Sequence, residues 1–256
     1  DRIWAASTLV RFIGVVMLLA SSARAQETTL IQVEGAEKLT GTVVDGISYR
    51  ELIGDVRIRQ DNVFIRCERA LQNLTANEVE LIGNVVITQD TLVLKTKRGM
   101  YNGDQRVAWS TNGVYLNDGR TTLTAESGRY DTRSKTARFS TRVTVDEPDA
   151  SIYASSLLYE RDSANAIATG DVIVRFKGEN TLVRSDTARH SIDRIITIFP
   201  SRTSLWQIDT AVLRRDVVSG LPDSIRLDTT HITALRMEAW RDSTNRLTAI
   251  DSVAMT

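Results

Sequence analysis

His190, His231 and Cys67 are the side chains of this 256-residue sequence whose types could ligate a metal or attack an electrophile. Their placement argues against both. The two histidines stand far apart in the chain, and neither has a second His or Cys at zinc-ligand spacing. Cys67 falls in a recurring column of small residues with Thr96, Ala125 and Ala154, the setting of a buried small hydrophobe rather than of a nucleophile. No Gly-x-Ser-x-Gly elbow, Walker loop or Rossmann glycine fingerprint occurs. An exported hydrolase on a β-scaffold would need a cluster of acids with a histidine, which these positions do not supply. The expectation is therefore a protein with no catalytic residue, no metal ligand and no cofactor.

Charge does not name a partner. Thirty-two Lys and Arg balance thirty-two Asp and Glu, and no block of like charge stands out, so no nucleic-acid partner is expected. With 42% hydrophobic residues the chain can bury a real core, and with one cysteine it cannot staple that core by an internal disulfide. Residues 1–25 differ from the rest: Arg2 and Arg11 precede an apolar run from Phe12 to Ala20, and Ala23-Arg24-Ala25 precede Gln26. That pattern reads as a cleaved signal peptide, its apolar run about half of the ~20 residues a membrane-spanning helix needs. Residues 26–256 are then the exported domain.

The elements that must position any site are strands. Gly54-Asp55-Val56-Arg57-Ile58 recurs as Gly83-Asn84-Val85-Val86-Ile87, Asn112-Gly113-Val114-Tyr115-Leu116, Thr141-Arg142-Val143-Thr144-Val145 and Gly170-Asp171-Val172-Ile173-Val174, at one constant interval throughout. Further into each of the first four units, again in constant register, come Ile65, Leu94, Leu123 and Ile152, and a later column reads Gln72, Tyr101, Tyr130, Tyr159 and, after a two-residue insertion near Gly178, His190. Apolar and polar residues alternate within each unit, and helical spacing is sustained nowhere after residue 25. Each unit is thus about two strands, which cannot bury its own apolar face and must stack on its neighbours. The array is elongated and all-β. Leu30 to Glu51 read as a partial copy capping it. Residues 200–224 lose the register and read as an irregular connection, after which Trp240 to Met255 regain it.

This recurring Gly-(Asp/Asn)-Val-x-Ile, followed by an apolar residue, a small residue and Tyr-(Asn/Asp), resembles the OstA-like family of LptA-type lipopolysaccharide-transport proteins. The resemblance implies a twisted β-jellyroll, open at both ends, that joins edge to edge with similar domains and holds lipid in the periplasm. Its implied partners are lipopolysaccharide, through the lipid A acyl chains, and other OstA-like domains by strand addition, with a head-to-tail homo-oligomer as a further arrangement. On that reading the alternation assigns the groove lining to Val56, Ile58, Val63, Ile65, Val85, Ile87, Leu92, Leu94, Val114, Leu116, Leu123, Val143, Val145, Ile152, Val172 and Val174. The same columns could equally close a dry core. The charged pairs Arg57 and Arg59, Arg66 and Glu68, Lys95 and Lys97 fall on the opposite, solvated side, with lipid phosphates as a second use for them. An alternative from another class is an exported carbohydrate-binding or adhesin-type β-solenoid, in which Tyr101, Tyr130 and Tyr159 would form an aromatic ladder for sugar stacking.

Overall fold

The computed structural model describes residues 30–191, 196–215, 222–241 and 245–256. The expected signal peptide, residues 1–25, lies outside the described residues. Twenty strands follow one another. They are β1 (Gln32–Gly35), β2 (Lys38–Val44), β3 (Ile47–Gln60), β4 (Val63–Asn73), β5 (Glu78–Gln89), β6 (Leu92–Asn102) and β7 (Val107–Ser110). Then come β8 (Val114–Asn117), β9 (Thr122–Ala125), β10 (Ser127–Asp131), β11 (Thr136–Asp146), β12 (Ala150–Glu160), β13 (Asn165–Phe176) and β14 (Thr181–Ser191). Last are β15 (Ile196–Phe199), β16 (Thr203–Arg215), β17 (Pro222–Ala234), β18 (Arg236–Trp240), β19 (Arg246–Ile250) and β20 (Ala254–Met255).

The long strands β3, β5, β11 and β13 change register in their middles, and the change sits on the repeated motif. The β3–β4 register runs from Tyr49↔Asn73 to Ile53↔Arg69, shifts, and resumes from Val56↔Cys67 to Gln60↔Val63. The same shift recurs in β5–β6, β11–β12 and β13–β14. A period-2 strand that turned a corner without it would swing its apolar side chains outward. In β5 the inward residues are Val79 and Leu81, then Val85, Ile87 and Gln89, so the two residues Gly83 and Asn84 restore the phase. Both take left-handed backbone, at φ +76° and +44°, which explains glycine followed by Asn or Asp, the residues that tolerate that region best. A Cβ on Gly83 would also collide with the Glu68 carboxylate. Thr141 and Arg142 make the same corner at φ +66° and +50° without either residue type.

The corners divide the strands between two antiparallel layers. The first pairs β2, β3, β4, β5, β6, β7, β10, β11, β12, β13, β14, β15, β18 and β19 in that order. The second pairs β1, β3, β4, β5, β6, β8, β9, β11, β12, β13, β14, β16, β17 and β20. At ~4.8 Å per strand, fourteen strands make a body roughly 60 Å long. This is an elongated all-β jellyroll whose inner faces share one hydrophobic core from Ile31 to Ala239. Most of residues 200–224 forms strand: β16 pairs β17 from Thr203↔Ala234 to Arg215↔Pro222. Because β16 pairs β14 only as far as Gln207↔Thr181, this ribbon continues past the rim of the second layer. Asp251 and Ser252, at φ +60° and +50°, make one more corner before β20.

Candidate functional site

All of the columns read as groove lining are buried, none more than 6% exposed, and all belong to one connected core. Every one projects from the second layer. The first layer opposes them with Leu52, Leu81, Tyr101, Tyr130, Phe139, Leu157 and Met237, and with small residues such as Ala70, Ala108, Ala137, Ala168 and Ala188. The tyrosines stand out in the sequence as a column, but their place opposite the lining does not, because alternation identifies inward positions without pairing one layer with the other. The layers are in contact along their length. The space enclosed by Leu116, Leu123, Val145, Ile152, Leu157, Tyr159 and His190 is about 20 Å³, and that under Ile87, Leu94, Met100 and Val114 about 10 Å³. An occupant of ordinary size must therefore part the layers.

Where the layers can part is set by what joins them. On one side, the bent strands pass covalently from layer to layer. On the other, hairpin turns of the two layers meet along a seam. Tyr101 Oη donates to Gln60 Oε1 at 2.6 Å, Tyr130 Oη to Gln89 Oε1 at 2.7 Å, and Tyr159 Oη to Asp118 Oδ2 at 2.8 Å. The acceptors Gln60, Gln89 and Asp118, with Glu147 after them, recur at the interval of the repeat, so the repeat encodes a second functional column that sequence reading passed over. His190 takes the tyrosine's place beside Glu147, its Nε2 3.8 Å from Oε2, while its Nδ1 lies 2.9 Å from Thr197 Oγ1. Gln60 and Gln89 also donate to the carbonyls of Gly103 and Thr132, at 3.0 and 2.9 Å. Arg106 pairs with Asp61 at 2.5 Å, Arg161 with Asp90 at 3.1 Å, and Arg241 with Glu179 at 2.6 Å. Among the described residues, every backbone–backbone hydrogen bond at these turns stays within one layer. The seam is closed by side chains.

Its electrostatics change along the body. Burial pushes the Tyr130 hydroxyl up to about 12 and raises that of Tyr101, so the two buried Tyr–Gln latches are neutral. Tyr159 is raised too, by burial and then by its carboxylate acceptor Asp118. Burial likewise raises Glu147, with Asp149 adding to it and Arg120 opposing, and lowers His190. The titratable latches thus surround the larger of the two small interior cavities.

The remaining candidate residues lie apart from one another. Burial pushes the Cys67 thiol up to about 11, and its Sγ contacts the Arg69 carbonyl at 3.2 Å. His231 stacks on Trp206 with ring centroids 4.8 Å apart. Among the described residues no group of three or more His, Cys, Asp or Glu could hold a metal ion. Arg57, Arg59, Arg66, Glu68, Lys95 and Lys97 stand on the outer face, turned away from the interior. Tyr101 and Tyr130 have no exposed ring surface, so they form no sugar-stacking ladder.

These features define a repeat-built antiparallel β-jellyroll with one continuous apolar interior, bent at its corners and joined by side chains along one seam. The model of the OstA-like protein family matches residues 28–172, more than half of the chain, and the chain belongs to that family. Among solved structures it is similar to LptH of Pseudomonas aeruginosa, described as the LptA homologous periplasmic component of the conserved lipopolysaccharide transport device. The identity is 9% and the TM-score 0.41, over 53% of this chain and 93% of that one. No curated protein matches.

Proposed function

We propose that this chain is a non-catalytic periplasmic lipid carrier, a bridge component for lipopolysaccharide that receives acyl chains between its two layers and joins other OstA-like domains edge to edge. The observation that carries this reading is the seam: the layers are joined covalently on one side and, among the described residues, by side-chain bonds alone on the other. Opening breaks the three tyrosine hydrogen bonds and the two glutamine–carbonyl hydrogen bonds at ~1 kcal/mol each, and a few ion pairs at ~0–1 kcal/mol each. Withdrawal of roughly eight methylenes from water, at ~0.8 kcal/mol each, offsets that cost, and one ordinary acyl chain supplies more than that. No chemistry is needed. Edge strands support the joining role, because among the described residues β2 pairs on one side alone and exposes Leu39, Val43 and Val44, while β19 and β20 offer edges at the other end.

The reading is tested with a photo-reactive residue placed at Leu116 or at Ile87, and for comparison at outward-facing Lys97, in protein exposed to lipopolysaccharide. Adducts at the two interior positions and none at Lys97 are expected. Adducts at Lys97 alone, or at no position while the protein remains folded, would refute carriage in the interior. The mature length and export expected from residues 1–25 are checked on the same preparation by intact mass.

A further inference from the structure

The seam ends at a pocket unlike its other tiers. About 420 Å³ opens between the last strands of the two layers, floored by Leu205 and Ile232 from the second layer and Leu247 from the first. Leu205 belongs to the core, and Ile232 and Leu247 pack against it, so this floor continues into the apolar interior. Arg241 crosses the mouth. Its Nη1 donates to Glu179 at 2.6 Å, its guanidinium lies 3.6 Å over the Phe176 ring, and its Nε is buried with no hydrogen-bond partner. Arg246 stands at the rim, 5.4 Å over the Trp240 ring, and pairs with no carboxylate among the described residues.

Among the described residues two guanidinium groups therefore line a pocket with one carboxylate, Glu179, whereas Arg106 and Arg161 at earlier tiers pair with Asp61 and Asp90. A buried donor without an acceptor is costly, and a planar guanidinium fork suits a phosphate better than a single oxygen. We propose that this pocket seats the phosphate head of an amphiphile between Arg241 and Arg246, with the tail lying along Leu205, Ile232 and Leu247 into the interior. The inference rests on the carrier reading and adds to it a place and a chemistry for the head.

The test measures equilibrium binding of three probes to the full chain: dihexanoyl phosphatidic acid, the matching diacylglycerol, and inorganic phosphate. Wild type is expected to prefer the phosphorylated lipid by tenfold or more. Arg246→Gln, at an exposed rim position, should lower that preference about tenfold, leave diacylglycerol binding unchanged and be rescued by Arg246→Lys. Arg241→Gln should do the same, with a thermal melt to confirm that the Glu179 contact is not needed for folding. Equal binding of both lipids by wild type, or a preference that survives Arg246→Gln, overturns the head site while leaving the carrier reading intact. Binding of neither lipid overturns both. Inorganic phosphate bound as tightly as the phosphorylated lipid overturns the amphiphile and leaves a free-phosphate site.

Discussion

The seam latch makes its strongest prediction at Tyr130. Its ring is fully buried, and its hydroxyl donates to Gln89 Oε1 at 2.7 Å, while Gln89 Nε2 donates to the Thr132 carbonyl and to Asn62. Tyr130→Phe removes one oxygen, creates no cavity and leaves Gln89 Oε1 facing an apolar ring. The cost is that of a buried acceptor left without its donor, about 1–3 kcal/mol. Gln89→Leu removes the acceptor but also strips the donor from Thr132 and Asn62, so alone it should cost about as much or more. In the double variant the Tyr130–Gln89 bond is lost only once, and the cycle should give a coupling of about 1–2 kcal/mol. Urea unfolding followed by the β-sheet signal measures all four corners of the cycle. Because the latch joins layers rather than strands, Tyr130→Phe should also speed the uptake of an acyl probe while the sheet signal of the folded state stays unchanged. A Tyr130→Phe penalty smaller than the net contribution of even a weak hydrogen bond, about 0.5 kcal/mol, or a coupling near zero, would refute the idea that these tyrosines hold the seam.

Other consequences follow from the corners and the buried titratable groups. Thr141 sits at φ +66°, where a β-branched residue is strained, so Thr141→Gly should stabilise the protein by up to about 1 kcal/mol, read as a raised urea midpoint. Gly83→Ala should destabilise it by more than that, since φ +76° and the Glu68 side chain both oppose a Cβ. Glu147 has its folded-state pKa raised by burial, so the stability it contributes is complete below its unfolded value and is lost as pH rises through the raised one. His190 is lowered by burial, so its contribution is present above its unfolded value and is lost as pH falls. Unfolding midpoints taken from pH 4 to pH 8 should therefore decline less toward high pH in Glu147→Gln than in wild type; parallel curves would contradict the assignment. Cys67, pushed up to about 11, should react with a disulfide reagent at pH 8 on the order of a hundredfold more slowly than an unperturbed thiol, and reach normal rates only in denaturant.

The period of the repeat was legible because four of its five corners, at 54–55, 83–84, 141–142 and 170–171, demand the same pair of left-handed residues. Gly-Asp and Gly-Asn stand where two successive residues need positive φ, and the inward valines and isoleucines follow at fixed distance. The seam was less legible. Tyr101, Tyr130 and Tyr159 were visible as a column, but their partners lie 41 residues earlier, a spacing that is neither the repeat nor a local strand contact and that emerges only when two layers are stacked. Gln60 and Gln89 look like ordinary polar residues next to a hairpin turn. Their burial marks them as latches, and burial depends on the facing layer. The strand character of 203–215 was obscured for a different reason, since its ribbon extends past the second layer and is released from the constraint that keeps inward positions apolar elsewhere.

The family match ends at residue 172, inside β13, and the fold does not. Val172 pairs with Ser185 of β14, and β14 hands the two layers on to β15 and β16 by the same division seen at every earlier corner. A repeat array stabilises each unit through its neighbours, so the backbone can continue where the motif has relaxed. Residues 173–256 show this relaxation in particular places: His190 replaces a tyrosine, and Ser201-Arg202 stand where a Gly-Asp corner would fall. The change at His190 trades a neutral closure for an ionisable one. The end of the body that departs most from the repeat is accordingly the end where the seam carries a titratable pair, His190 and Glu147.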